Sequence, residues 1–262
     1  MIKSLFFDID GTLVSFKTHE IPQSTTSALA KAKAKGVGIY ISTGRPISII
    51  TNLKAIEPLI DGYITTNGAL CFIGNETVCC NPIAQDDVDT IIADADKHDY
   101  TMLVVGEHDV RLYNPKNIFH QVFFDELNVT NIDTTLPASD VIGKQRILQF
   151  SPFITAEHEA ELMPTMPDCV SGRWHEAFTD ITAKEADKGK GLAAMAQHLG
   201  LDIAETMAFG DGGNDVAILR RAGIGVAMGN AGDAALNAAD YVTSSVDDNG
   251  IANALRHFGV ID

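Results

Sequence analysis

The sequence predicts an α/β protein with a parallel-sheet core, interrupted by an inserted α+β domain. Three observations lead there. Short apolar runs alternate with helical patterns over residues 1–81 and again over 185–262, and strand–helix–strand alternation implies parallel strands joined by right-handed crossovers. Between residues 82 and 184 the pattern changes to short paired strands and isolated helices. Clusters of Asp, Thr, Asn and Gly stand at the ends of the apolar runs, where ligands bind in open parallel sheets.

Residues 4–9 read as a buried strand, apolar on both faces. Residues 24–35 carry Ala28, Leu29 and Ala32 at helical spacing and stop at Gly36. A strand at 37–41, a helix at 47–56 and a strand at 62–65 follow. In the insertion, 86–98 is helical, with Val88, Ile91, Ile92 and Ala95 on one face. Residues 101–105 and 110–113 form a hairpin, 146–150 a strand, 158–163 a helix, and 169–171 and 177–181 paired strands. The core resumes with a helix opening at Lys188-Gly189, strands at 206–209, 223–228 and 241–243, and helices at 216–222, 234–238 and 250–258.

Composition narrows the function. The chain has 262 residues, 45% hydrophobic and 21% charged, within the range of globular domains. A net charge of −16 argues against nucleic acid, which needs clustered Lys and Arg. It does not exclude a small phosphorylated ligand, since a cation and a few placed donors set the local field. The four cysteines, Cys71, Cys79, Cys80 and Cys169, form no disulfide-like framework, which suits a reducing cytoplasm. Met1 leads into a strand without a signal-peptide pattern, and no apolar run has membrane-spanning length.

The chemistry centres on Phe6-Phe7-Asp8-Ile9-Asp10-Gly11-Thr12. Residues i and i+2 of a strand point the same way, so Asp8 and Asp10 can converge beyond its end. Two such carboxylates stay ionised most easily around a cation, and hard oxygen ligands suit Mg²⁺. The competing reading is an Asx-type turn in which the aspartates only bond backbone. Further along come Thr43-Gly44-Arg45, Asn67-Gly68 and Gly210-Asp211-Gly212-Gly213-Asn214-Asp215. Tight turning alone accounts for the glycines of the last loop but not for its interleaved polar residues.

These motifs, in this order, resemble the haloacid dehalogenase superfamily. The insertion between the Asn-Gly turn and the Lys-Gly helix resembles the C2 cap of its Cof-type, subfamily IIB sugar-phosphate phosphatases. The resemblance implies a Rossmann-like core (1–81 and 185–262) and a cap (82–184), with Asp8 as nucleophile and Asp10 as general acid–base. Mg²⁺ would be held by Asp8, the backbone carbonyl of Asp10 and Asp211, with Asp215 in an outer or water-mediated position. Thr43 and the amides of Ile9 and Gly44 would bind phosphoryl oxygens; Thr43 is equally a good helix N-cap. Lys188 would neutralise phosphate and Asp8, with Asn214 orienting it; Lys190 competes for that role. Arg45 would touch substrate or pair with a core carboxylate. In the cap, Arg173, Trp174, His175 and His120 are candidates for reading a sugar, against a role in packing. The histidines lack an H-E-x-x-H spacing, so zinc is not expected.

The expected activity is Mg²⁺-dependent hydrolysis of small phosphate monoesters, hexose phosphates foremost. A phosphomutase or phosphotransferase on the same scaffold is the alternative, and a non-catalytic phosphometabolite-binding module a third. The expected partner is a small phosphorylated metabolite, with no nucleic acid, no membrane and a monomeric chain. A cap of roughly a hundred residues on two short connections can close over the strand ends and exclude water, which disfavours folded phosphoproteins as substrates.

Overall fold

The computed structural model describes every residue except 128 and 130. Two compact units are formed, one by Met1–Arg45, Ile50–Cys80 and Asp187–Asp262, the other by Pro46–Ile49 and Asn81–Ala186. Residues 46–49, expected within the first unit, group with the second, where Asn131 Nδ2 donates to Ser48 O (2.6 Å).

The first unit opens with β1 (Ser4–Phe7), α1 (Gln23–Ala34), β2 (Gly38–Ser42) and β3 (Gly62–Thr65). The helix expected over 47–56 is absent. Single 3₁₀ turns at Ile47–Ile49 and Glu57–Leu59 stand there instead. Ile49, Ile50, Thr51 and Asn52 are poor helix formers, and Pro58 disfavours a helical residue before it. An antiparallel hairpin that periodicity did not show, β4 (Leu70–Ile73) and β5 (Glu76–Cys80), turns at Gly74, whose φ is +56°.

The second unit contains α2 (Gln85–His98), β6 (Met102–Gly106), β7 (Val110–Tyr113), the single turn α3 (Asn117–Phe119), a π-helical segment His120–Glu126, β8 (Ile147–Pro152), α4 (Ala156–Leu162), β9 (Cys169–His175) and β10 (Phe178–Ala183). Its sheet, ordered β7-β6-β8-β10-β9, is antiparallel throughout. Val88, Ile91 and Ala95 of α2 pack with Val104, Phe150, Ile181 and Leu162. Phe123, Phe153 and Phe178 form a separate aromatic cluster.

The chain then returns to the first unit through α5 (Lys188–His198), β11 (Thr206–Gly210), α6 (Val216–Arg221), β12 (Ile224–Ala227), α7 (Asp233–Leu236), β13 (Tyr241–Val242) and α8 (Gly250–His257). The sheet order is β13-β12-β11-β1-β2-β3-β4-β5, parallel from β13 to β3. Side chains of β1 alternate between layers as period two requires. Leu5 and Phe7 enter the core with Leu29 of α1 and Leu255 of α8, and Phe6 the core with Leu192 of α5 and Ile218 of α6. From β1 the chain steps to β2 on one side and later returns to β11 on the other. Loops at such a reversal diverge and leave a crevice for ligands. Among the described residues no helix is long and apolar enough to cross a membrane.

Candidate active site

Asp8 leaves β1 with its amide donating to Phe209 O (3.1 Å), which carries the parallel ladder one residue further. The chain then folds back. Leu13 N and Val14 N both donate to Ile9 O (3.0 and 2.8 Å), and Gly11 N donates to Val14 O (2.9 Å). Gly11 sits at φ +82°, and a Cβ there would overlap Asp211 Oδ2 and lie 2.6 Å from the Phe16 ring, so only glycine fits. Asn230 Nδ2 holds Gly11 O (2.8 Å) while Asn230 Oδ1 accepts from Val246 N (2.8 Å), fixing the turn to the loops after β12 and β13.

Asp187 caps α5, its Oδ1 accepting from Lys190 N (2.8 Å). This places Lys188 in the first turn, 1% exposed, with Nζ 2.7 Å from Asp8 Oδ1 and 2.6 Å from Asp215 Oδ1. The Lys190 side chain is exposed. Asp215 Oδ2 accepts from the amides of Asp211 (3.0 Å) and Gly212 (2.9 Å), and Thr12 Oγ1 donates to Asp211 Oδ1 (3.0 Å). Among the described residues Lys188 pairs with Asp215 and Asp8, and no hydrogen bond joins it to Asn214. Asn214 Nδ2 donates instead to Asn67 Oδ1 (3.2 Å), because the Asn67 backbone (φ 52°) turns that side chain toward the loop after β11.

Carboxylates outnumber ammonium groups here. Burial and the neighbouring Asp215 raise the Asp8 carboxyl to about 8 even with Lys188 beside it, and the same two causes raise Asp211 to about 6. Burial alone would depress Lys188, but Asp215 and Asp8 outweigh it and its ammonium is stabilised. Ligand oxygens of Asp8, Asp211 and Asp215 lie within 4.8 Å of one another. Asp215 already receives Lys188 and two amides, whereas no hydrogen bond from the described residues reaches Asp8 Oδ2 or Asp211 Oδ2. An all-oxygen set with surplus negative charge fits a hard divalent cation such as Mg²⁺, with Asp215 as the residue that orients the others.

At the end of β2, Thr43 is 2% exposed, its amide donates to Ile64 O (2.8 Å), and its Oγ1 accepts from Arg45 N (3.1 Å). No α-helix follows, so the N-cap reading does not apply. Gly44 keeps the turn open: a Cβ would stand 3.1 Å from Asn67 Oδ1. Asn67 N donates to Thr43 O (3.0 Å), joining the ends of β2 and β3. Arg45 pairs with a core carboxylate, with Nε 2.8 Å from Asp10 Oδ2 and Nη2 3.0 Å from Asp10 Oδ1.

The second-unit candidates behave differently from one another. Arg173 donates to Glu159 Oε2 (2.7 Å) and to the carbonyls of Ile154 (3.0 Å) and Glu176 (3.0 Å), which makes it a bracket within its own domain. Burial would raise Glu159, yet hydrogen bonds from Ser171, Arg173 and Thr179 hold it below the ordinary carboxyl value. Trp174 is 61% exposed, with its indole N–H on Asp180 Oδ2 (2.8 Å) and its ring edge-on to Phe178. His175 stacks on Phe178 and His120 packs edge-on to Phe124, both engaged in packing.

Thr12, Asn67 and Asn230 add hydrogen bonds around the site, although the sequence assigns them no individual role. Thr12 is the last letter of the Asp-x-Asp-Gly-Thr motif, and both asparagines stand in strand-end turns beside glycine. Those positions were the available signal. Only the fold shows which residues they bridge.

A model of the haloacid dehalogenase-like hydrolases matches residues 5–255. The chain is similar to the solved structure of the subclass IIB sugar phosphatase BT4131, at 48% identity and TM-score 0.89, covering 99% of this chain and 100% of that one. A second structure, reported for a conserved trigonal-bipyramidal intermediate in a phosphoryl-transfer superfamily, is 47% identical with TM-score 0.90 over the whole of both chains. The 5-amino-6-(5-phospho-D-ribitylamino)uracil phosphatase YcsE of Bacillus subtilis (strain 168) is 28% identical over 98% of this chain and 96% of its own.

Proposed function

Since the chain belongs to the haloacid dehalogenase-like hydrolases and is a phosphatase of their IIB type, we propose that it hydrolyses small phosphate monoesters, sugar phosphates foremost, through an aspartyl-phosphate on Asp8. The observation that carries this reading is the buried Lys188 ammonium held between Asp8 and Asp215. It keeps one Asp8 oxygen fixed, leaves the other for attack, and supplies positive charge where phosphoryl oxygens arrive.

Asp8 Oδ2 attacks phosphorus as the bond to the leaving alkoxide breaks, and Asp10 gives that oxygen its proton. Asp10 then takes a proton from water, whose oxygen attacks phosphorus and releases phosphate as the bond to Asp8 breaks. Thr43 Oγ1 and the amides of Ile9 and Gly44 hold the equatorial oxygens. Mg²⁺ bound by Asp8, the Asp10 carbonyl and Asp211 would shield the nucleophile from the incoming anion and stabilise the transferring oxygens. Asp215 keeps Asp211 and Lys188 in place.

Support for a sugar phosphate comes from the 48% identical sugar phosphatase. With Arg173 engaged inside its own domain, Trp174 is the better candidate for an exposed aromatic surface against a sugar ring. The net charge of −16 supports a small-molecule partner rather than nucleic acid. A phosphomutase would use the same groups but return the phosphoryl group to an alcohol, so release of inorganic phosphate separates the two. A non-catalytic binding module would need neither Asp8 nor Asp10. The test is a phosphate-release screen over hexose phosphates, pentose phosphates and nucleotides, with Asp8→Asn as control. Release from sugar phosphates, lost in Asp8→Asn, supports the reading; transfer without release, or none at all, contradicts it.

A further inference from the structure

Within the second unit three side chains with metal-ligand chemistry converge, none of them used by phosphoryl transfer. Asp94 and His98 stand one turn apart on α2 and so share a face. His158 stands in the first turn of α4, whose start is set by Thr155 Oγ1 accepting from His158 N (3.3 Å). The two helices pack in one core through Ile91, Ala95 and Leu162. His158 Nε2 lies 2.7 Å from Asp94 Oδ2, and His98 Nε2 lies 3.6 Å from Asp94 Oδ1. The two imidazoles are 4.6 Å apart, and all three ligand atoms fall within 4.8 Å of one another. Tyr100 OH donates to Asp94 Oδ2 (3.0 Å) and steadies the carboxylate.

A half-buried histidine–carboxylate pair needs one imidazole. Here a second one turns its Nε2 toward the same carboxylate. Metal–ligand distances of about 2.0–2.1 Å put neighbouring ligands of a tetrahedral ion about 3.3 Å apart. The 3.6 Å and 2.7 Å contacts run to different oxygens of Asp94, and one ligand atom from each residue lies within 4.8 Å of the others, so the set reaches that edge by drawing together around an ion. We propose that Asp94, His98 and His158 form a site for one divalent transition-metal ion of the Zn²⁺ class, clamping the last turn of α2 to the first turn of α4. Two imidazoles and a carboxylate suit Zn²⁺, Co²⁺ or Ni²⁺, while the oxygen-only set around Asp8 and Asp211 suits Mg²⁺. The partly exposed His98 leaves a fourth position for water, and Tyr100 supplies the outer hydrogen bond that ligating carboxylates use. No H-E-x-x-H spacing announces this site. Its sequence trace is Asp94-x-x-x-His98, and His158 joins only through the fold.

The test uses the full chain stripped with chelator and then saturated with Mg²⁺ to fill the oxygen site. Calorimetric titration should find one Zn²⁺ per chain, and Co²⁺ should give the visible bands of a four-coordinate N/O site. His98→Gln, at an exposed position, should weaken Zn²⁺ at least ~10-fold, and Tyr100→Phe, which keeps the ring in its packing, by about 10- to 100-fold. Circular dichroism shows whether His158→Gln folds; if it does not, His98→Gln decides alone. Absence of Zn²⁺ binding beside saturating Mg²⁺, or unchanged binding in His98→Gln, overturns the proposal.

Discussion

Arg45 grips both oxygens of Asp10, with Nε 2.8 Å from Oδ2 and Nη2 3.0 Å from Oδ1. A forked guanidinium fixes a carboxylate in rotation as well as position, which lysine cannot do. The carboxylate proposed to move protons is therefore held at one orientation. Asp10→Asn should lower kcat by at least ~10²-fold, the usual scale for acid–base assistance, with Mg²⁺ and ligand binding kept. Arg45→Ala should lower kcat by about 10- to 100-fold, as misplaced catalytic groups do. The double variant should be little worse than Asp10→Asn alone, since Arg45 acts through Asp10. Full additivity in steady-state kinetics would show an independent role for Arg45.

Lys188 is the one ammonium among three carboxylates and is 1% exposed. Lys188→Met should cost about 3–5 kcal/mol in denaturant unfolding with chelator present, because it leaves buried carboxylates unpaired. Saturating Mg²⁺ should return part of that loss, since a cation that binds only the folded state stabilises it. A loss under 1 kcal/mol, within the range of an exposed pair, would mean the cluster is not organised around Lys188.

Asp8 is raised to about 8 and Asp211 to about 6, in both cases chiefly by burial and then by Asp215. An acid whose folded value lies above its unfolded value keeps its proton in the folded state after the unfolded chain has released it. Folding stability therefore falls as pH rises from ~4, the unfolded carboxyl value, toward the folded values. Asparagine at position 8 cannot titrate. In chelator, the thermal midpoint of Asp8→Asn relative to the parent should climb between pH 5 and 8. Mg²⁺ binding to the parent should tighten over the same interval, because the ion displaces protons. Parallel melting curves for the two proteins would contradict the raised Asp8.

Much of this was legible beforehand, for a physical reason. Asp8, Asp10, Thr43, Lys188 and Asp211 stand at element ends, all but Asp8 next to a glycine, where both the local pattern and the parallel-sheet rule locate ligands. Pairings across the fold were not legible. That Asn214 faces Asn67 while Asp215 orients Lys188 depends on backbone angles at Asn67 and on which Asp215 oxygen the amides take. The helix expected at 47–56 is absent because Ile49, Ile50, Thr51 and Asn52 are poor helix formers, and turns stand there instead. The β4–β5 hairpin went unseen although Gly74-Asn75 carries a two-residue turn signal.

Arg173 and Trp174 are neighbours in sequence with different work to do. Removing Arg173 strands the partly buried Glu159 and several carbonyls, so Arg173→Ala should cost about 3 kcal/mol or more of stability. Trp174→Ala, which removes one hydrogen bond to Asp180 Oδ2 and an edge contact with Phe178, should cost less stability than Arg173→Ala and raise KM for sugar phosphates. A variant of Trp174 with unaltered KM across the substrate panel would remove it from substrate contact.

The covalent role of Asp8 is tested most directly by trapping. Asp10→Asn, mixed with Mg²⁺ and an aryl phosphate whose leaving group needs no proton, should form the aspartyl-phosphate and then lack the base that hydrolyses it. After acid quenching, peptide mass spectrometry should find one phosphoryl group on the segment bearing Asp8. None should appear there in Asp8→Asn. A phosphoryl group on another residue, or undiminished turnover by Asp8→Asn, would contradict the account.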